Sequence, residues 1–383
     1  MILIFDEGTI GDVSAQALAP PAPRWIDRPA RLPLLCLALA VLLGVSIVTA
    51  IASGGADVSL SQTVHYLTQA ITGGTIARDE VSSYQIIWQV RTPRVLLAAL
   101  VGAALSATGA VIQAMVRNVL ADPFLLGVSS GASVGAVSVT LAAVGMSSLG
   151  MGALASTLGV FFVTGGAFLG ALGASALVWA ASWQRDSGVT PVRLVLTGVV
   201  LAAGFQAIMS VLIYLVPDTE STSTVLFWSM GSFGAAAWAL LPVVTVFVAL
   251  GLVVYRRHAS TLDVLSLGDE TAASLGVDAT AARRTLFVVL SLTTGAVTAV
   301  SGCIGFVGLV VPHIVRMLVG ATHARVLAVA PLVGAILMVW VDLIARTLVA
   351  PRELPLSAIT ALIGVPVFIV LLRRRGHILG GHR

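Results

Sequence analysis

Residues 88–131 read WQVRTPRVLLAALVGAALSATGAVIQAMVRNVLADPFLLGVSSG. Between Arg94 and Arg117 no charged side chain occurs, and the only polar ones are Ser106, Thr108 and Gln113. An uncharged apolar run of this length meets the requirement of roughly 20 residues for a helix that crosses a bilayer. A second run opens at Pro123, after a connection that holds Arg117, Asn118 and Asp122. Two such runs joined by a short polar turn predict a membrane hairpin.

The pattern continues in both directions. Apolar runs stand at about 33–53, 95–115, 123–145, 152–180, 194–216, 240–255, 285–303, 308–320, 326–349 and 355–372. Composition agrees: of 383 residues 58% are hydrophobic and 10% charged, against roughly 25% charged in soluble domains, and the mean hydropathy is +1.03. A water-soluble fold is excluded, because too little polar side chain is present to cover one. The sequence predicts an all-α polytopic membrane protein of ten transmembrane helices. The run at 308–320 is short and carries Pro312, His313 and Arg316, which also fits one half of a broken helix.

The basic residues orient the spans. With the N-terminus inside and ten crossings, 16 of the 21 Lys+Arg residues fall inside and five outside: Arg78, Arg91, Arg94, Arg346 and Arg352. The positive-inside rule then places both termini in the cytoplasm. Most connections are short. The exceptions are an outer one at about 54–92 and an inner one at about 256–284, whose residues 261–279 mix leucines and paired acids at helical spacing, with Asp263 as N-cap and Gly276 as stop. Gly127, Gly131 and Gly135 form small-xxx-small steps suited to close helix contact, whereas Gly302, Gly305 and Gly308 predict a tight turn between spans. ATGAVIQ at 107–113 and TGAVTAVSG at 294–302 lie in spans of opposite direction, as an inverted internal repeat requires.

Every one of the 21 basic residues is arginine. With no lysine, the chain lacks the residue by which a P-loop holds phosphates and the amine of Schiff-base cofactors. If ATP is used, another chain hydrolyses it. Cys36 and Cys303 lie in apolar stretches and predict neither disulfide nor metal framework. Asp342 is the one acid inside the ten apolar runs, four residues before Arg346, a spacing that predicts a helix-end ion pair. His313 has no second ligand at metal-site spacing and reads as structural. No protease, esterase or carboxylate-pair motif is present, so no enzyme site is expected, and the dispersed arginines give no nucleic-acid surface.

Residues 88–131 closely resemble the permease subunits of type II ABC importers for ferric siderophores, haem and vitamin B12. Arg91-Thr92-Pro93-Arg94, Gly102-Ala103-Ala104-Leu105, Gly109 and Gln113, Arg117-Asn118, Ala121-Asp122-Pro123 and Leu126-Gly127 stand in family order. The resemblance continues through Leu267-Gly268 to Leu275-Gly276, the stretch Gly305 to Arg316, Asp342 to Arg346, and Glu353-Leu354-Pro355. Departures are Val119, Cys303 and Leu356-Ser357, where proline, proline and Ile-Gly or Val-Gly are usual.

The resemblance implies a cytoplasmic extension at 1–32, a ten-helix permease domain at 33–375 with the coupling loop 256–284 inside it, and a cytoplasmic tail at 376–383. It implies a homodimer in the bacterial inner membrane, two separate ATP-binding subunits, a periplasmic substrate-binding protein, and no cofactor or metal of its own. Leu267, Gly268, Ala272, Leu275 and Gly276 match the coupling helices seated on the ATPase. Arg91, Arg94 and Arg346 match arginines that pair with binding-protein carboxylates, a contact suited to reversible docking. The path at about 197–235 would be lined by Thr197, Gly198, Gln206, Met209, Ser210, Trp228, Met230 and Phe233. The cargo expected is an iron chelate, haem ahead of ferric siderophore, with vitamin B12 third. The competing class is an ion-coupled secondary transporter, in which Asp342 would carry the proton.

Overall fold

The structure is a computed structural model and describes residues 31–54, 58–148, 152–185, 188–216, 223 and 226–379. Residues 1–30 with Arg24 and Arg28, residues 380–383, and the side chains of Arg373, Arg374 and Arg375 lie outside the described part. Among the described residues there is no β-strand. The elements in order are α1 (Arg31–Ala52), α2 (Leu60–Thr72), α3 (Val81–Gln85), α4 (Thr92–Met115), α5 (Val128–Ser148), α6 (Gly152–Ser182), α7 (Pro191–Tyr214) and α8 (Leu241–Arg257). Two short helices follow, α9 (Ala259–Leu267) and α10 (Asp269–Ser274), and then α11 (Ala279–Ser301), α12 (Val307–Val319), α13 (His323–Thr347) and α14 (Leu356–Leu379).

Each of the ten apolar runs carries a helix. Among the described residues six segments suffice, by length and composition, to cross a membrane: α1, the continuous stretch Arg78–Met115, Phe161–Ser182, α7, α11 and α13. The pair α8 and α9, bent by 59°, makes a seventh, while Val128–Ala143, Val307–Val319 and Leu356–Val370 are shorter apolar helices. The 13 residues of α12 rise about 20 Å, less than the roughly 30 Å hydrocarbon core. A left-handed Gly302 (φ 67°) and Phe306 (φ 68°) form the turn that lets α12 start at depth, beside the middle of α4.

At the centre stands α4, in which every residue except Leu96, Leu100 and Ala103 is buried. It is apolar all round, as befits a helix with protein on every side. Glycine allows its neighbours to approach: a Cβ on Gly102 would strike the carbonyl of Gly334 in α13, and one on Gly109 the carbonyl of Gly308 in α12. Gly131 and Gly135 do the same for α5 against Gly170 and Gly166 of α6.

Two local expectations need correction, and one connection proves more structured than its composition suggests. Gly127 is not on the α5 face, because Asp122 accepts the Phe124 N–H at 2.9 Å, caps a 3-10 turn at Pro123–Leu126, and leaves Gly127 as its left-handed stop (φ 74°). Asp263 is no N-cap: α9 already begins at Ala259, and the Asp263 carboxylate leaves its own helix to bond α13. The outer connection at 54–92 is largely helical. It holds α2, closed by a Ser59/Gln62 capping box and a left-handed Gly73, and then a helical stretch from Arg78 that passes through a π-turn at Ile86–Arg91 into α4.

Candidate functional site

The ion pairs among the described residues lie at the two ends of the bundle. At the outer end α1 stops with no basic residue in its last turn, leaving carbonyls without intrahelical partners. Arginines from other helices supply them. Arg91 Nη1 donates to the carbonyls of Ile51 and Ala52 at 3.1 and 3.0 Å, and Arg346 donates to those of Ser53 (2.6 Å) and Ala50. Cationic groups at a helix C-terminus also meet the negative end of its dipole. Gly54 makes room, since a Cβ there would fall 2.5 Å from the Arg91 guanidinium.

Arg94 faces the same cluster from α4. Its Nε donates to Asp342 Oδ1 at 2.8 Å, and its two terminal nitrogens grip Glu353 at 2.6 and 3.0 Å in a bidentate fork. The other oxygen of Asp342 lies 3.4 Å from Arg346 Nε. The predicted Asp342–Arg346 pair is therefore present, with Arg94 as a further and closer partner. Asp342 is fully buried, Arg91 and Arg94 nearly so, whereas Glu353 keeps 33% of its side chain exposed. The three arginines matched to docking thus all have partners inside the subunit.

At the inner end α9 and α10 meet at Gly268, whose φ of +117° no L side chain readily adopts. An ion pair and a side-chain hydrogen bond fasten this helical pair. Asp269 of α10 bonds Arg283 of α11, which is 2% exposed and also donates to the Met115 carbonyl ending α4. Asp263 of α9 bonds His323 at the start of α13. Of the matched coupling residues, Leu267, Leu275 and Gly276 are exposed, while Gly268 and Ala272 are buried beneath them. Asp122 lies in the α4–α5 connection. Burial pushes its carboxyl up to about 6, and the hydrogen bond from the Phe124 N–H only partly opposes this.

Near the inner end as well, Gln113 donates to the Gly308 carbonyl at 3.2 Å and accepts from Arg316 at 2.6 Å, tying α4 to α12. Among the expected path residues, Gln206, Ser210 and Met230 are exposed, and Thr197 and Trp228 partly so. Gly198, Met209 and Phe233 are buried inside the subunit, Gly198 directly against the Leu125 carbonyl. His313 is buried in α12, and no group of three or more His, Cys, Asp or Glu near enough to hold a metal occurs among the described residues.

The sequence model of the FecCD transport family matches residues 42–374. The chain belongs to this family. It is 37% identical over 333 residues to the uncharacterized ABC transporter permease protein YvrB of Bacillus subtilis, covering 87% of this chain and 91% of that one. It is 40% identical to the hemin transport system permease protein HmuU of Yersinia pestis (76% and 84% covered), and 40% identical to the cobalamin import system permease protein BtuC of Halobacterium salinarum (76% and 74% covered). Among solved structures it superposes, with a TM-score of 0.73 and 32% identity, on an inward-facing conformation of a protein assigned as a metal-chelate type ABC transporter, covering 89% of this chain and 99% of that one. Both end clusters lie within the matched range.

In this FecCD permease, two of the three departures from the usual motifs meet at one place. Leu356 N–H donates to the Gly231 carbonyl at 3.0 Å and Ser357 N–H to that of Met230 at 3.2 Å. Cys303 stands on the other side of Gly231, with Ser129 Oγ 2.6 Å from its sulfur. These substitutions therefore adjoin Trp228 and Met230. The contacts of the inner end are not readable in the sequence because Asp269–Arg283 and Asp263–His323 each join different helices, 14 and 60 residues apart, and only the helical spacing of the leucines in 261–279 signals a folded element there.

Proposed function

We propose that the chain is the membrane subunit of an ATP-driven importer in the bacterial inner membrane, built as a homodimer on two separate ATP-binding subunits beneath a periplasmic binding protein. The cargo is an iron chelate, haem ahead of a ferric siderophore. The observation that carries this reading is the α9–α10 pair: a projecting element with exposed Leu267 and Leu275, fastened to α11 and α13 through Arg283 and His323. An ATPase groove that grips this pair moves the spans with it. Leu267, Leu275 and Gly276 make the contact, while Gly268 and Ala272 set the shape of the element behind them. At the outer end Arg91, Arg94 and Arg346 answer carboxylates of the binding protein. The cargo passes Thr197, Gln206, Ser210, Trp228 and Met230, with Gly198, Met209 and Phe233 as the wall that supports them.

Likeness to the hemin permease supports haem, and the equal likeness to the cobalamin permease supports vitamin B12 as the second reading. The test is uptake into proteoliposomes holding the chain with and without its ATPase, given a binding protein loaded with haem, ferric siderophore or cobalamin. Uptake of one cargo only with ATPase and ATP supports the proposal and names the cargo. Uptake by the chain alone along an ion gradient overturns it.

A further inference from the structure

Helix α2 divides its surface three ways. Thr63 and Tyr66 are buried against the protein, where α2 packs on the outer end of α1 and on the π-turn at Ile86–Arg91. The remainder is split by helical periodicity at about 100° per residue. Leu60, Val64, Leu67 and Ile71 fall on one side, and Ser61, Gln62, His65 and Thr72 on the other. The apolar side is open: Leu60 is 58%, Val64 48% and Ile71 78% exposed. No Asp, Glu, Lys or Arg occurs in α2.

The depth of α2 is fixed by its neighbours. The 22 residues of α1 rise about 33 Å, enough to carry the chain through the hydrocarbon core. Its last carbonyls are held by Arg91 and Arg346 at the level where the π-turn leads into α4. Trp88 lies in that turn, its ring tilted by 36° against that of Trp238 at 4.6 Å, and the Tyr84 ring lies 6.2 Å from that of Tyr66. Tryptophan and tyrosine collect at the membrane–water boundary.

We propose that α2 is an interfacial helix lying in the outer leaflet, its Leu60, Val64, Leu67 and Ile71 side sunk among the acyl chains and its His65 side in water. A contiguous row of large apolar side chains needs an apolar cover, and the bilayer that ends beside α1 supplies it. The capping box and Gly73 hold both ends of the helix without help from a partner. Attachment rests on apolar area rather than charge, so it is indifferent to salt and to anionic lipid.

The experiment places a nitroxide on single cysteines in a Cys36→Ala, Cys303→Ala background, at Val64→Cys, Ile71→Cys, His65→Cys and Thr72→Cys, in nanodiscs of zwitterionic phosphatidylcholine. All four positions are exposed, so the labels leave packing intact. The ratio of collisions with oxygen to collisions with a water-soluble nickel chelate is expected to be several-fold higher at 64 and 71 than at 65 and 72, at low and at high salt. Equal ratios at all four sites would place the helix in water. Shielding of 64 and 71 from both relaxants would mean a protein cover. Either result overturns the proposal.

Discussion

One carboxylate oxygen joins Asp263 to His323 twice: Oδ1 accepts the backbone N–H of His323 at 2.9 Å and lies 2.6 Å from its Nδ1. The first bond supplies a partner for an N–H at the start of α13 that has none within its own helix. The second fixes the ring. Because Asp263 belongs to α9, the proposed movement of the short helical pair would pull on the inner end of α13, whose outer end carries Asp342 and Arg346. Replacing Asp263 by Asn keeps an acceptor but removes the charge. Hydrogen bonds to charged groups contribute about 1.5–3 kcal/mol, so in Asp263→Asn the cargo moved per ATP hydrolysed is expected to fall by roughly an order of magnitude while the ATPase still binds. Unchanged stoichiometry in the folded variant would remove this link from the coupling route.

Asp342 sits fully buried between Arg94 and Arg346. Deleting it strands buried guanidinium charge, and breaking a buried pair from one side costs about 3–5 kcal/mol. Asp342→Ala should therefore lower unfolding stability in micelles by about that amount, and Asp342→Asn by less. In the ion-coupled alternative the same residue exchanges protons, so dissipating the proton gradient would stop uptake in the unaltered protein. Structural pairing predicts ATP-driven uptake that survives a protonophore. Loss of uptake with the gradient, at full ATPase activity, would favour the proton role.

Glycine contacts separate positions that need close approach from those that do not. A Cβ on Gly109 or Gly135 would collide with a backbone carbonyl, of Gly308 and Gly166 respectively, and neither carbonyl ends a flexible side chain. Overpacking of this kind costs about 1–3 kcal/mol. Gly109→Ala and Gly135→Ala should each lower the melting temperature, whereas Gly173→Ala, with nothing within 4 Å, should raise it slightly through helix propensity, about 1 kcal/mol at most. Equal effects at all three positions would show that the helices can move apart to admit a methyl group.

The all-helical membrane fold was legible because crossing a bilayer requires long uncharged runs, and each of the ten runs carries a helix, although only six or seven of the described segments have the length and composition to cross alone. Asp342–Arg346 was legible as well, since four residues on a helix bring side chains together. What the sequence withheld is contact between distant residues. Nothing in the linear order of Arg94, Asp342 and Glu353 says that one guanidinium serves both acids, and nothing around Ala50 to Ser53 says that arginines 40 and nearly 300 residues away cap that helix. The α2 helix was missed for a different reason. Its Ser59/Gln62 and Gly73 signals were readable, but its mixed composition resembles a polar loop when only long apolar runs are sought.

Asp122 gives a pH dependence of known sign. Its carboxyl titrates near 6 in the folded protein against an ordinary 3.8, so between these values the folded state holds a proton that the unfolded state has released. Stability therefore falls as pH rises from about 4 to about 6 and changes no further above that. Asp122→Asn keeps an oxygen for the Phe124 N–H and cannot ionise. Relative to the original protein, the variant should gain stability steadily across that window, as measured by denaturation in micelles at pH 4, 5, 6 and 7. Parallel curves for the two proteins would show that Asp122 is solvated and titrates normally.

Glu353 holds the outward edge of the Arg94 fork and is itself one-third exposed, so it occupies the position that a partner's carboxylate would take. If the binding protein docks through these arginines, Glu353 competes with it. Removing the competing charge while keeping side-chain volume should tighten association. A partly exposed pair contributes up to about 1 kcal/mol, which corresponds to roughly fivefold in affinity. Glu353→Gln is expected to bind the loaded binding protein more tightly by up to that factor, with a steeper loss of affinity between low and high salt as the freed guanidinium takes a screened partner. Weaker binding in the variant would instead mean that Glu353 holds Arg94 in its docking position, and an unchanged affinity and salt slope would move the docking surface away from this cluster.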